Sequence, residues 1–141
     1  LISDSRMGLL RYAFVARNKA DARRYAECAL YQTRLAYALR TKTESISGDY
    51  VVDERPFKGE PTIDELLDRL IIGDVDTCIE RAVREIRDAR VNDLVIQAKL
   101  GDLPHALALD SLALWMEEVV PGIERELGMP IADVNPVGIA A

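Results

Sequence analysis

Histidine and cysteine are scarce in this sequence of 141 residues, which holds one histidine and two cysteines. The cysteines, Cys28 and Cys78, are far apart in the chain, so their spacing does not predict a metal site. Each lies among apolar residues in a helical pattern. This indicates buried free thiols and a protein of the reducing cytoplasm.

Long apolar runs and an excess of basic residues are also missing. No apolar run reaches the roughly 18 residues that a membrane span requires, so we expect no membrane partner. The net charge is −6, and acidic residues are interleaved with the basic residues of segment 17–27, so no nucleic-acid interface is predicted. The hydrophobic fraction of 49% is instead typical of a globular domain. The chain starts at Leu1 without an initiating Met, and we expect it to be a piece of a longer protein.

Short apolar runs alternate with helical patterns along the chain. Strands are predicted at residues 9–15, 50–52, 70–72 and 94–96. Helices are predicted at residues 19–40, 63–69, 75–89 and 105–127, with N-caps at Asn18, Thr62 and Asp74. Segment 41–61 has no clear period and is interpreted as a loop or insertion. Residues 1–127 therefore form one globular segment, and residues 128–141 form a tail.

The last helix has two features that bear on packing. Leu109, Leu112, Met116 and Val119 recur along one stripe, which predicts its buried face. Pro121 is expected to kink the helix or to end its regular part.

The alternation of strands and helices predicts an α/β fold with a parallel sheet covered by helices. The sheet would contain the three strands at residues 9–15, 70–72 and 94–96. Three strands are too few to close a barrel, so the sheet has open edges that need partners. We expect the strands near residues 12–15 and 93–97 to be parallel neighbours of the short strand near Ile71.

Several motifs stand in a fixed order in this pattern. Residues 12–16 (YAFVA) and 20–24 (ADARR) begin the series, and residues 71–76 (IIGDVD) follow. Residues 101–105 (GDLPH) follow the last strand, and residues 118–121 (EVVP) lie in the last helix. In this order, residues 9–127 resemble the C-terminal part of the luciferase-like, flavin-dependent monooxygenases. Val75 stands where that family usually has proline, and Asp102 where it has glycine.

The resemblance implies the last part of an eight-stranded (β/α)8 barrel whose active site lies at the carboxyl ends of the strands. It implies an oxidoreductase that uses reduced FMN, supplied by a reductase, and O₂ on a small organic substrate. A deazaflavin-dependent hydride-transfer enzyme of the same fold remains open, as does a non-catalytic fragment. Most flavin-holding residues of the family lie upstream of this sequence. The expected partners are therefore the missing barrel half or further copies of the chain.

Four residues near the end of the last strand are the candidate site. By the resemblance, Gln97, Lys99 and Gly101 lie at the barrel mouth, where they could contact the flavin or the substrate. The alternative is a turn that only satisfies backbone groups. His105, the single histidine, could act as a general base or could cap the last helix.

Strand alternation further predicts that Val95 and Gln97 face the barrel interior, while Leu94 and Ile96 pack against helices. Trp115 and Met116 are expected to serve packing. Segment 43–60 falls where the family carries a mobile insertion, so it is a candidate lid.

Overall fold

The computed structural model describes residues 7–43, 45–47, 50–53 and 55–131. Its strands, in chain order, are β1 (Gly8–Val15), β2 (Ser45–Ser47), β3 (Tyr50–Asp53), β4 (Ile71–Gly73) and β5 (Asp93–Gln97). Its helices are α1 (Lys19–Thr41), α2 (Ile63–Arg69), α3 (Val75–Ala89), α4 (His105–Leu114), a π-helix (Trp115–Val119) and α5 (Val120–Leu127).

Strands β4, β1 and β5 form an open parallel sheet in that order. The predicted parallel α/β fold is confirmed, but the predicted neighbour of β5 is wrong, since β5 pairs with β1 and not with β4. The lengths of the strands explain the difference. β4 has three residues and would offer β5 only a short edge, whereas the longer β1 pairs with β5 at five positions.

Helices cover both faces of this sheet, because the residues of β1 alternate between two hydrophobic clusters. Phe14 and Ile72 pack with α1 and α2 on one face. Ala13, Val15 and Ile71 pack with α3, the π-helix and α5 on the other. This two-sided covering is the arrangement of an open α/β sheet, whereas a barrel keeps its helices on the outside.

The predicted helix starts are confirmed in detail. The side chain of Asn18 accepts a hydrogen bond from the backbone N–H of Asp21, and Asp74 accepts one from Thr77 in the same way. Thr62 and Glu65 form the reciprocal capping box that the sequence predicts. These caps satisfy N–H groups that the first helical turn leaves unpaired.

Segment 41–61 contains more structure than predicted. β3 lies where a short strand was expected, but it pairs antiparallel with β2, which the sequence analysis missed. The stretch after the hairpin is attached to α1, since the ring of Phe57 stacks on Tyr37 with centroids 4.0 Å apart. The guanidinium of Arg34 also holds the carboxylate of Glu60 at 2.6 Å. The lid hypothesis falls partly on residues 44, 48, 49 and 54, which lie outside the described residues.

The predicted buried stripe of the last helix is confirmed at Val119 and wrong at its other three positions. The buried positions are Ala108, Ser111, Trp115 and Val119, while Leu109, Leu112 and Met116 are exposed. The expected packing role therefore holds for Trp115 and not for Met116. Small side chains at the first two buried positions let the helix approach β1 closely, which leaves the larger apolar side chains outside.

The regular α-helix ends at Leu114, shortly before Pro121, as one of the two expectations had it. The π-helix lies immediately before Pro121, and helical structure continues through α5. A proline removes one backbone donor and its ring crowds the carbonyl four residues earlier. The wider π turn accommodates both effects.

Candidate functional site

The candidate site lies where β5 ends and the chain turns back to α4. Gln97 is half-buried and pairs in register with Tyr12 of β1. Within the described part of the chain its side-chain amide makes no hydrogen bond, while its backbone carbonyl accepts one from the hydroxyl of Tyr25. Leu94 and Ile96 pack against the helices on the opposite face, as predicted.

The turn after β5 is closed by its own groups. The backbone N–H of Leu103 donates to the carbonyl of Leu100 over 3.0 Å. The ammonium of Lys99 donates to the carbonyl of Leu103 over 2.8 Å. Leu100 and Leu103 are buried in the cluster with α1, so the turn is held both by its own hydrogen bonds and by packing against α1. Lys99 thus already has a structural role in this turn.

Gly101 and Asp102 form the tip of the turn and lie against α1. Gly101 has a φ of 47°, the left-handed conformation that favours glycine, and a Cβ there would lie 3.4 Å from the ring of Tyr31. Asp102, which replaces the family glycine, does not have a positive φ. The carboxylate of Asp102 forms an ion pair with the guanidinium of Arg24, with 2.7 Å between Oδ1 and Nη2. The departure from the family motif is therefore accommodated by a side chain of α1.

Electrostatics around this tip favour a neutral thiol and a charged carboxylate. A hydrogen bond from the Arg24 guanidinium lowers the pKa of Asp102. The thiol of Cys28 lies 3.7 Å from the same carboxylate, and burial raises its pKa. Both cysteines are free and buried, as predicted. Since the thiolate is the nucleophilic form, this environment does not activate Cys28.

A groove of about 620 Å³ runs between α1 and the turn. It is lined by Arg24, Glu27, Cys28, Tyr31, Arg34 and Asp102 among others. Charges of both signs line it, and the two arginines are engaged with carboxylates of their own surroundings. The groove therefore has no unbalanced charge that would select an anion or a cation.

His105 is the first residue of α4 and is exposed. Pro104 occupies the N-cap, and no side chain caps this helix. In the described ranges the imidazole has no hydrogen bond or ion pair, so the prediction that His105 caps the helix is wrong. A catalytic role of His105 stays a prediction.

The structure keeps Gln97, Lys99, Gly101 and His105 on one connection, as their sequence positions require. What it adds is α1, whose Tyr25, Arg24 and Cys28 contact this connection from 72 to 78 residues earlier in the chain. Arg24 and Cys28 are four residues apart and so lie on one helix face. Nothing in the local sequence, however, indicates which loop that face meets.

The described residues do not by themselves fit a flavin. A flavin needs hydrogen-bond partners along its ring and cationic or backbone donors for its phosphate. Lys99 is engaged with Leu103, and Gly101 lies against Tyr31, which leaves the amide of Gln97 as the unengaged polar group of the three. No group of His, Cys, Asp and Glu side chains suited to hold a metal ion occurs within the described residues.

Comparisons with known proteins give one distant relative. Over 127 residues the chain is 28% identical to the uncharacterized protein y4vJ of Sinorhizobium fredii. The match covers 90% of this chain and 36% of that protein, so the chain spans about a third of the length of its relative. No family model and no solved structure matches the chain. None of the helices in the described part of the chain combines the length and the apolar character needed to span a membrane.

Proposed function

We propose that this chain is the C-terminal segment of a longer, cytoplasmic flavin-dependent oxidoreductase of the luciferase-like kind. The reaction class is oxygenation of a small organic substrate with reduced FMN and O₂. The observation that carries the proposal is the position of residues 101–105 (GDLPH). They are separated by three residues from the carboxyl end of a parallel strand and lead into the continuous helical run that holds residues 118–121 (EVVP). This is the motif order of that family.

The length of the relative supports a longer protein. The aligned part of y4vJ is about a third of that chain, so a protein of that length has room for the strands and flavin contacts that the proposal needs. The open edges of the sheet, at β4 and β5, are positions where such strands could join.

The proposed barrel requires a different strand order from the one in this chain. Strands of a (β/α)8 barrel are neighbours in chain order, so β4 would have to lie between β1 and β5. In the chain by itself β1 holds that position. The proposal therefore requires β5 to exchange β1 for β4 as its neighbour when the upstream strands are present. It also requires the helices, which here cover both faces of the sheet, to lie on one face. Oxidation of a Leu10→Cys/Val95→Cys variant tests the exchange of neighbours, because the two positions are opposite each other in the present register. The disulfide between positions 10 and 95 of one chain should form here and should not form in the longer protein.

This chain supplies few groups for the chemistry. We assign Gln97 as a residue that orients the flavin edge or the substrate, since its amide is unengaged at the carboxyl end of β5. Lys99 and Gly101 hold the turn beside it. The phosphate and most of the ring must be held by upstream residues, so no chemical step is assigned to the side chains described here.

A deazaflavin-dependent hydride transfer is the second candidate, because the motif order is the same and the residues that would discriminate the two cofactors lie upstream. Titration of the longer protein with FMN and with a deazaflavin, followed by fluorescence, decides between them. This chain alone should bind neither cofactor.

Gln97→Ala should weaken the binding of whichever cofactor the longer protein takes, FMN or the deazaflavin. Gln32→Ala on α1 serves as the matched control. Absence of flavin binding by the longer protein would refute the proposed function. Saturable binding by this chain at micromolar concentration would show that its site lies here and not upstream.

A further inference from the structure

Strand β5 is an edge strand with one side unpaired among the residues that the structure describes. The backbone N–H of Asp93 bonds to the carbonyl of Met7 beside β1, which fixes the alternation along the strand. In a parallel ladder, successive residues direct their N–H and C=O groups to opposite sides. Leu94 and Ile96 therefore direct theirs away from β1, to the free side.

These free groups are self-complementary. If a second copy approaches antiparallel with its Val95 opposite Val95 of the first, Leu94 of each copy lies opposite Ile96 of the other. Both residues offer an N–H and a C=O, so the two pairs form four hydrogen bonds across a two-fold axis. The central valines then form the closely spaced, non-hydrogen-bonded pair, with Cα atoms about 4.5 Å apart.

The side chains of this edge also favour pairing. Val95 is 52% exposed, although it is a large apolar residue in the middle of a strand. Asp93 would lie opposite Gln97 of the second copy, so no like charges meet. The strand lacks the lysine or proline that commonly protects a free edge.

A groove of about 380 Å³ lies beside this edge, on the face opposite the side chain of Val95. Leu94, Ile96, Leu112 and Met116 are among the residues that line it. Met116 is 63% exposed, so the groove has apolar surface left to bury. An exposed apolar patch joined to an unpaired strand is typical of an interaction site.

We propose that two copies of this chain associate through β5 to form one continuous six-stranded sheet. The strand order is β4-β1-β5 in one copy, followed by its antiparallel mirror order in the other. The inference concerns this chain by itself and does not rest on the proposed function. In a longer protein, the upstream strands would compete for the same edge.

Sedimentation of the chain and its variants tests the pairing. At about 0.1 mM the chain should sediment as a dimer, since a micromolar dissociation constant leaves little monomer there. Val95→Lys and Val95→Glu should each raise the dissociation constant at least tenfold, because like charges would face each other across the axis. An equimolar mixture of the two variants should recover a heterodimer. Leu39→Lys, an exposed apolar position on α1, is the control and should leave the dimer unchanged.

Cross-linking tests the register. Val95→Cys should give a disulfide-linked dimer on mild oxidation, because the predicted Cα separation is within disulfide range. Leu94→Cys on the same edge should not, since it lies opposite Ile96. Cys28 and Cys78 are buried and do not compete. A monomer at 0.1 mM, a mixture that fails to form a heterodimer, or a cross-link at position 94 in place of 95 would each overturn the proposal. So would a monomer whose Val95→Cys thiol is protected, because another segment would then cover the edge.

Discussion

Ser111 offers a direct test of how the last helix is attached to the sheet. Its side chain is 2% exposed, and its hydroxyl accepts a hydrogen bond from the backbone N–H of Val15 over 2.8 Å. The N–H of Ala16 bonds to β4, so that of Val15 points to the other side of β1. β5 ends opposite Tyr12 and cannot reach it. Ser111 therefore replaces a strand partner at the buried end of β1.

We expect Ser111→Ala to leave this N–H buried and unpaired, at a cost of about 1–3 kcal/mol in the free energy of unfolding. The melting temperature should fall by roughly 3–5 °C for each kcal/mol lost in a chain of this size. Urea unfolding followed by circular dichroism, at one fixed protein concentration, gives the free energy directly.

Ser47→Ala is the matched control, since Ser47 is exposed, and it should change the free energy by less than about 0.5 kcal/mol. A Ser111→Ala variant as stable as its parent would refute the reasoning, because the N–H of Val15 would then have another partner.

Two further predictions concern close packing and buried thiols. Gly122→Ala should destabilise the chain by about 1–3 kcal/mol, because the added Cβ would lie 2.2 Å from Cδ1 of Ile79. The double variant with Ile79→Ala should lose less than the sum of the two single variants, and simple additivity would contradict the proposed overlap. Burial raises the pKa of Cys78 to about 12, so the unfolded chain releases this proton at lower pH than the folded chain. Stability should therefore be complete below pH 9 and should decrease as pH rises towards 12; urea midpoints at pH 7 and 10 measure this, and Cys78→Ala should reduce the difference.

Part of the candidate site could be predicted from nearby residues, and part depends on residues far away in the chain. The turn of residues 99–104 could be predicted from its Gly and Pro residues and from its place after an apolar strand. Its attachment to α1 through Arg24, Tyr25 and Cys28 could not, because helical periodicity defines a face without defining what the face meets. The exposed state of His105 likewise depends on the path of the chain into α4 and not on its residue type.

The buried face of the last helix also could not be predicted from its own sequence. Hydrophobicity favoured a stripe with the large residues Leu109, Leu112 and Met116. The structure buries Ala108, Ser111 and Trp115 in their place. Close approach to β1 and the bond from Val15 to Ser111 decide the choice, and both depend on a strand almost a hundred residues earlier.

The sequence by itself determined most elements of this protein, although not β2. Helix starts at Asn18, Thr62 and Asp74, the strand cores and the parallel α/β class all follow from capping chemistry and apolar periodicity, which act over a few residues. Strand order, the two-sided helix cover and the free edge of β5 were decided only by the tertiary structure. The reason is physical: a strand pattern defines which residues can pair, but several strands of similar pattern compete for each edge. In this chain β5 pairs with the long β1 at five positions, more than the three residues of β4 could offer.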